Sequence, residues 1–135
     1  MVAVDRGSKK ANLFKKMKNF LVSLLMEIGI SKNGSHCVVF GFDKNHYNRL
    51  TFSQSSTFNP EFIISRIDEL RQTAEPTVLT SGLREAQAVL KSSGVRKRCL
   101  VPRVVVFVTE TSKLKNAQSF LHGAKQLEKV SYLYF

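Results

Sequence analysis

The sequence lacks the motifs by which most enzymes and metal proteins are identified. It has two cysteines and three histidines, with no CxxC and no HExxH. These scattered positions make a His/Cys metal site a poor expectation. The glycine-rich nucleotide loops GxGxxG and GxxxxGK[ST] and the nucleophile motif GxSxG are also missing. We therefore expect a chain that is not an enzyme and has no catalytic residue.

Long hydrophobic runs and a secretory leader are absent as well. No apolar run approaches the roughly 20 residues of a membrane-spanning helix. Charged residues begin at Asp5, which does not fit a secretory signal. Two alternatives remain open, a cytoplasmic protein or a piece of a longer secreted protein that carries its leader elsewhere. Two cysteines do not decide the compartment.

Acidic residues are few. The chain has 10 aspartates and glutamates against 21 lysines and arginines, which gives a net charge of +11. The bases cluster near the N-terminus and again at 96–98. Such clusters attract glycosaminoglycans, acidic matrix components, anionic lipids or nucleic acid, although they can equally form a solvated surface without a specific partner. Nucleic acid is less expected, since no stacking motif accompanies the charge. The polyanion-binding candidates are Lys9, Lys10, Lys15, Arg96, Lys97 and Arg98.

In the first half of the chain, hydrophobic spacing predicts alternating strands and helices. Residues 1–5 read as a short strand, and a helix capped by Asn12 follows, with apolar residues at helical spacing as far as Ile28. Gly29 suits its C-terminal cap. A second strand is predicted at 36–42. The strand predicted at 46–52 follows too closely for a helical crossover, so it should pair antiparallel at a sheet edge.

The second half predicts three helices around one strongly apolar strand. A helix begins at Asn59-Pro60 and ends near Arg71, and Thr80 or Ser81 caps the next. Five consecutive apolar residues within 103–109 predict a strand buried on both faces. A polar cluster containing Glu110 ends that strand. The last elements are a helix at about 113–128 and a strand at 131–135.

This order predicts an α/β fold, a three-layer doubly wound, mostly parallel sheet with one antiparallel edge strand. We expect residues 1–135 to form a single domain that is incomplete at both ends. In open sheets of this kind, ligands bind at the carboxyl ends of the strands. The polar residues that follow these strands are therefore the candidate site.

Four segments in this order resemble the von Willebrand factor A domain, the integrin I-domain family. FKKMKNFL at 14–21 is similar to its first helix, and CVVFGF at 37–42 to its second strand. TVLTSGLREA at 77–86 resembles the family's TxTGxALxxA stretch, and VPRVVVFVT at 101–109 its VPKVVVVLTDG strand. The resemblance covers nearly the whole chain and implies the same α/β fold.

The resemblance also implies a metal-ion-dependent adhesion site. The family holds Mg²⁺ with a DxSxS loop, a threonine and an aspartate, oxygen donors that suit a hard cation. Asp5 matches the first aspartate and Thr77 the threonine. Gly7 and Lys9 replace the two serines, although Ser8 could occupy the second serine's place. Glu110 replaces the last aspartate. The candidate ligands are Asp5, Ser8, Thr77 and Glu110.

We expect this site to be degenerate and to hold no cofactor. The Lys9 ammonium would lie near the cation, and the longer Glu110 would disturb octahedral geometry. Asp5 and Glu110 would then be solvated, or would pair with Arg6, Lys9 or Lys10. Mg²⁺ binding remains the alternative.

The family's sheet order places Cys37 and Cys99 about 9–10 Å apart, two strand spacings, which is beyond disulfide reach. Both are expected to be free, mostly buried thiols. The resemblance implies a non-enzymatic adhesion module of an extracellular matrix protein that binds protein ligands without metal. Collagen-associated or glycosaminoglycan partners would suit its basic surface. The alternative is an intracellular A-like domain in a nucleic-acid-associated or complex-assembly role.

Overall fold

Five strands form one sheet in the computed structural model, which describes residues 1–7, 10–44, 46–47, 55–91, 102–109, 122–125 and 132–134. The strand order is β3-β2-β1-β4-β5. Neighbouring strands pair parallel except β2 and β3, which pair antiparallel. The strands are β1 (Val2–Asp5), β2 (Val39–Phe42), β3 (His46–Tyr47), β4 (Val104–Val108) and β5 (Tyr132–Tyr134).

Three helices connect these strands within the described residues. They are α1 (Ala11–Ile28), α2 (Pro60–Glu69) and α3 (Leu79–Leu90), and a short 3₁₀ turn at Ser55–Phe58 precedes α2. Residues 122–125, inside the fourth predicted helix, are helical. None of the helices in the described part of the chain is long and apolar enough to span a membrane.

The helices cover opposite faces of the sheet. Gly82 of α3 lies against the rings of Phe42 and Phe107, which pack edge to face with centroids 5.9 Å apart. Gly41 precedes Phe42 in β2 and so faces the other side, where it lies under Leu70 just after α2. Because α2 packs on α1, these two helices form the layer opposite α3. The predicted three-layer, doubly wound α/β fold is confirmed.

The core follows the helical and strand periodicities of the sequence. In α1, the buried residues Phe14, Met17, Leu21 and Leu25 recur at intervals of three and four, as one face of a helix requires. Phe20 and Ile28 belong to the same predicted apolar stripe, but they are 54% and 45% exposed. The stripe is therefore narrower in the fold than in the sequence. The fully buried sheet residues include Ala3, Val4, Phe40, Phe42 and Val105.

Two predicted helix ends are confirmed. Gly29 takes the left-handed conformation at the end of α1, with φ of 69°. The Asn59 side chain accepts a hydrogen bond from Phe62 N at 3.1 Å, and Pro60 begins α2. That helix ends at Glu69, slightly earlier than expected.

Two other predicted caps are wrong. Asn12 lies inside the first turn of α1, and the residue at the N-cap is Lys10, which makes no side-chain capping bond. The N-cap of α3 is Val78 rather than Thr80 or Ser81, again without a side-chain bond. Both helices therefore follow residues whose side chains do not cap them, although residues with a better capping preference lie within the first turn.

The prediction that β4 is buried on both faces is wrong at its first residue. Val105 and Phe107 are buried, whereas Val104 is 39% exposed and the other outward valines are partly buried. The buried pair faces α3, so β4 alternates as a strand with unequal cover on its two faces. The second strand is also shorter than predicted, because Cys37 N donates to Thr57 O at 2.8 Å before β2 begins.

Candidate functional site

The carboxyl end of β1 carries a fully buried carboxylate that other segments hold by hydrogen bonds. Asp5 has no exposed surface. The Thr77 hydroxyl lies 2.8 Å from Asp5 Oδ1 and 2.9 Å from Oδ2, and the Thr109 hydroxyl donates to Oδ2 at 2.7 Å. Gly7 N donates to Oδ1 at 2.9 Å. Asp5 therefore joins the loop after β1, the segment before α3 and the end of β4.

A second buried carboxylate, Asp43, lies where β2 ends. The Thr73 hydroxyl donates to its Oδ2 at 2.9 Å, and Arg6 Nη2 lies 3.8 Å from the same oxygen. Arg6 Nε also donates to Arg71 O at 3.0 Å, and Thr73 N donates to Arg6 O at 2.9 Å. Arg6 thus ties the 71–73 segment to the ends of β1 and β2. We name Asp5, Arg6, Gly7, Asp43, Thr73, Thr77 and Thr109 together the carboxyl-edge cluster.

Two glycines make this close arrangement possible. A Cβ at Gly7 would lie 2.6 Å from Glu75 O and 2.8 Å from Thr77 N and its hydroxyl oxygen. A Cβ at Gly41 would collide with the Arg6 side chain, whose methylene groups cross β2 at that point. A side chain at either position would push the segments of the cluster apart.

The structure brings two of the predicted metal-site candidates together, because Asp5 and Thr77 share hydrogen bonds. The other two, Ser8 and Glu110, lie outside the described residues. The prediction that Asp5 is solvated or pairs with Arg6 is wrong. Asp5 is buried among hydroxyl donors, and Arg6 instead reaches Asp43, since consecutive residues of β1 and its loop point to opposite faces.

Sequence reasoning missed the partners that complete the cluster. Thr109 stands immediately before the residue chosen as a candidate ligand, and only the register of β4 against β1 shows that its hydroxyl reaches Asp5. The sequence does place an acid, Asp43, directly after the second predicted strand. Arg6 was expected beside Asp5 and instead reaches Asp43. Thr73 carried no local signal, because its contact with Asp43 joins segments that are separate in the sequence.

The described residues supply only part of the donor set that the family uses for Mg²⁺. The cluster offers it the Asp5 carboxylate with two threonine hydroxyls, and Gly7 has neither a hydroxyl nor room for one. The second carboxylate, Asp43, is held by Thr73 and Arg6. No group of three or more His, Cys, Asp or Glu residues that could hold a metal occurs among the described residues. Mg²⁺ needs a nearly ideal octahedron of oxygens, and the two further candidate ligands, Ser8 and Glu110, lie outside the described residues.

The sequence matches the von Willebrand factor type A domain over residues 2–133. The chain belongs to this family. The resemblance seen in the four sequence segments is therefore confirmed. No curated protein sequence matches the chain significantly.

Solved structures share the fold of this A domain. Proximal thread matrix protein 1 from the mussel byssus, with a zinc-occupied metal-ion-dependent adhesion site, superposes with a TM-score of 0.74 at 19% identity. The manganese-loaded TRAP protein of Plasmodium vivax gives 0.71 at 22% identity. Both alignments cover 98% of this chain, but 33% of the mussel chain and 53% of the Plasmodium chain. The chain thus spans about a third to a half of these proteins.

The predicted polyanion-binding residues are only partly described. Lys10 and Lys15 are exposed near and within the start of α1, whereas Lys9, Arg96, Lys97 and Arg98 lie outside the described residues.

Cys37 is a buried free thiol, as predicted. Burial raises its pKa, and the nearby N-terminal ammonium has a smaller effect that lowers it. The thiol is therefore a poor nucleophile. Cys99 lies beyond the described part of the chain.

Proposed function

We propose that this A domain is a non-enzymatic protein-interaction module of an adhesion or matrix protein, and that it binds its ligands without a metal. The observation that carries the proposal is the packing of Gly7. Where the family's motif has a serine, the Cα of Gly7 faces Glu75 O and Thr77 so closely that a Cβ would lie 2.6 Å from that carbonyl oxygen. Hydrogen bonds to Asp5 and Asp43 already hold the loops that a cation would otherwise organise.

An extracellular setting is part of this proposal. A neighbour of the same fold is a thread matrix protein of the mussel byssus, which supports a matrix role for an A domain of this shape. Residues 1–135 would then act as one domain of a longer protein.

Metal dependence is tested by thermal unfolding in EDTA and in millimolar Mg²⁺, Mn²⁺ or Zn²⁺. A ligand that binds only the native state stabilises it by RT ln(1 + [L]/Kd), about 2.7 kcal/mol at a hundredfold excess over Kd. We expect identical transitions in all four buffers. An upward shift with a divalent cation that Asp5→Asn removes would overturn the metal-free proposal.

Protein binding is tested on immobilised collagen, in EDTA and in Mg²⁺, at physiological salt. We expect equal retention in both buffers. Retention that requires Mg²⁺ would again contradict metal-free binding, and no retention on collagen or on a panel of other matrix proteins would contradict the adhesion role.

A polyanion-binding surface is a second candidate, favoured by the net charge of +11 and by the exposed Lys10 and Lys15. Heparin and duplex DNA of equal charge provide the comparison. A specific heparin site predicts that Lys10→Glu with Lys15→Glu weakens heparin binding more than Lys32→Glu with Lys91→Glu. Equal losses, or a log-log salt slope shared with DNA, would indicate charge alone.

A further inference from the structure

A cleft lies between α1 and the end of α2, on the face of the sheet opposite α3. Its volume is about 380 Å³, enough for one or two side chains of a ligand. Phe14 and Leu70 are among its lining residues and form an apolar floor, of which a small area is exposed in the cleft. The remaining lining residues are polar or small: Ala11, Lys15, Lys18, Asn19, Asp68, Arg71 and Gln72.

Hydrogen bonds fix the shape of this cleft. Lys18 Nζ donates to Asp68 O at 2.7 Å and lies 3.5 Å from Leu70 O, so it bridges α1 to the carbonyls that α2 leaves unsatisfied at its end. On the far wall, Arg71 O accepts from Arg6 Nε. The cleft is therefore a preformed feature, and its wall is continuous with the carboxyl-edge cluster.

The charge of the cleft is positive. Lys15, Lys18 and Arg71 line it, and Asp68 is the one acid among the lining residues that the structure describes. Lys18 is occupied by backbone carbonyls, but Lys15 and Arg71 are exposed and can reach a ligand. The amide side chain of Asn19 adds a hydrogen-bond donor and an acceptor beside the bases.

We propose that this cleft binds a short acidic peptide segment of a partner protein, with an apolar side chain against Phe14 and Leu70 and flanking carboxylates on Lys15 and Arg71. The proposal rests on the interaction-module function proposed above and names the class of ligand and the surface. Charge complementarity selects an acidic ligand. The apolar floor and Asp68 favour a peptide over a sulfated glycan. A glycan would place polar hydroxyls against the apolar floor and negatively charged sulfates near the Asp68 carboxylate.

The test measures fluorescence anisotropy of labelled peptides in EDTA at physiological salt. One peptide has the sequence GEDLDEG and its partner GEDSDEG, so that only the central apolar side chain differs. The protein variants are Lys15→Glu with Arg71→Glu, and a control with the same change in net charge, Lys32→Glu with Arg84→Glu. Lys32 lies beyond the far end of α1, and Arg84 is exposed on the opposite layer.

A charge-neutral variant tests the cleft itself. Ala11 is exposed at the rim, so Ala11→Phe should fill the entrance without changing the net charge. Ser23→Phe, at an exposed position of the same helix, is its control. Far-UV circular dichroism and thermal unfolding confirm that each variant is folded.

We expect the leucine peptide to bind more tightly than the serine peptide. Affinity should fall about tenfold in Lys15→Glu with Arg71→Glu, in line with the loss of two exposed ion pairs and new repulsion, and should fall in Ala11→Phe. Both control variants should bind like the wild type. Equal losses in the two charge variants would overturn the proposal, since net charge alone would then explain binding. Equal affinity for the two peptides would also overturn the proposal. So would a protein that binds heparin but neither peptide, if Ala11→Phe blocks the heparin binding.

Failure of this inference is distinguishable from failure of the proposed function. If the domain binds collagen in EDTA and the cleft variants leave that binding unchanged, the interaction module stands and the cleft does not. If binding to every matrix protein is absent while the peptide still binds in the cleft, the ligand class stands without the adhesion role.

Discussion

Substituting Gly7 by alanine tests whether the carboxyl-edge cluster is as tightly packed as its geometry indicates. The added Cβ would lie 2.6 Å from Glu75 O and 2.8 Å from both the Thr77 N and its hydroxyl oxygen. Favourable C···O contacts run at about 3.3–3.6 Å. The Gly7 backbone is not in the left-handed region, so any cost comes from crowding and not from backbone strain.

Two opposing terms set the size of the effect. Overpacking of this kind costs about 1–3 kcal/mol, whereas replacing glycine by alanine at a compatible position stabilises by about 0.4–1 kcal/mol through the unfolded chain. Together these terms allow a net loss between about 0 and 2.6 kcal/mol. Because the closest contact, at 2.6 Å, is with a backbone oxygen, we expect the upper part of this range, about 1–2 kcal/mol. With a urea dependence of about 2 kcal/mol/M, the unfolding midpoint falls by roughly 0.5–1 M.

Urea unfolding followed by circular dichroism measures this change, with Gly34→Ala as the control. At Gly34 a new Cβ would lie 2.6 Å from the hydroxyl oxygen of the exposed Ser31 side chain, which can rotate away, and 3.2 Å from Gly29 O, which needs only a small shift. Gly34→Ala should therefore cost clearly less stability than Gly7→Ala. A Gly7→Ala protein as stable as the wild type, or more stable, would refute the packing argument. It would also mean that position 7 has room for the serine side chain of the family's motif, and the packing of Gly7 would no longer support metal-free binding.

Three further predictions concern hydrogen bonds and burial. Thr77→Val should lower the free energy of unfolding by about 1.5–3 kcal/mol, because the buried Asp5 carboxylate loses a hydrogen-bond donor. Thr77→Ser keeps the hydroxyl and should cost much less. Equal losses in the two variants would contradict this prediction. Asn59→Ala removes the N-cap of α2 and should lower the free energy of unfolding, measured in urea, by about 1 kcal/mol. Asn12→Ala should change it very little. A larger loss for Asn12→Ala than for Asn59→Ala would show that the cap assignment is wrong. Burial raises the pKa of Cys37, so the folded state keeps its proton at pH values where the unfolded thiol, with a pKa of about 8.5, has lost it. The stability advantage of the wild type over Cys37→Ala should therefore be constant below pH 8 and shrink as pH rises to 10; an advantage that grows would contradict the burial.

The sequence alone determined the order of the elements and the layers they form. The β-branched run of β4 and the 3.6-residue spacing of apolar residues in α1 are local properties of the sequence. They indicate a strand and a helix without any information about distant segments. The same is true of Gly29 and the Asn59-Pro60 start of α2, where a single residue type meets a backbone requirement. The family resemblance followed from these elements and from four segments in the right order.

Tertiary structure decided everything that depends on contacts between distant segments. The N-cap residues of α1 and α3 are Lys10 and Val78, which make no side-chain capping bond, so the capping preferences of Asn12 and Thr80 did not locate the starts of these helices. The hydroxyl partners of Asp5 lie 72 and 104 positions away. The family resemblance indicated Thr77, but no local pattern indicated Thr109. The close approach at Gly7 depends on the backbone of another loop. A sequence shows which residues could hold a cation, but the packing of the loops determines whether there is space for one.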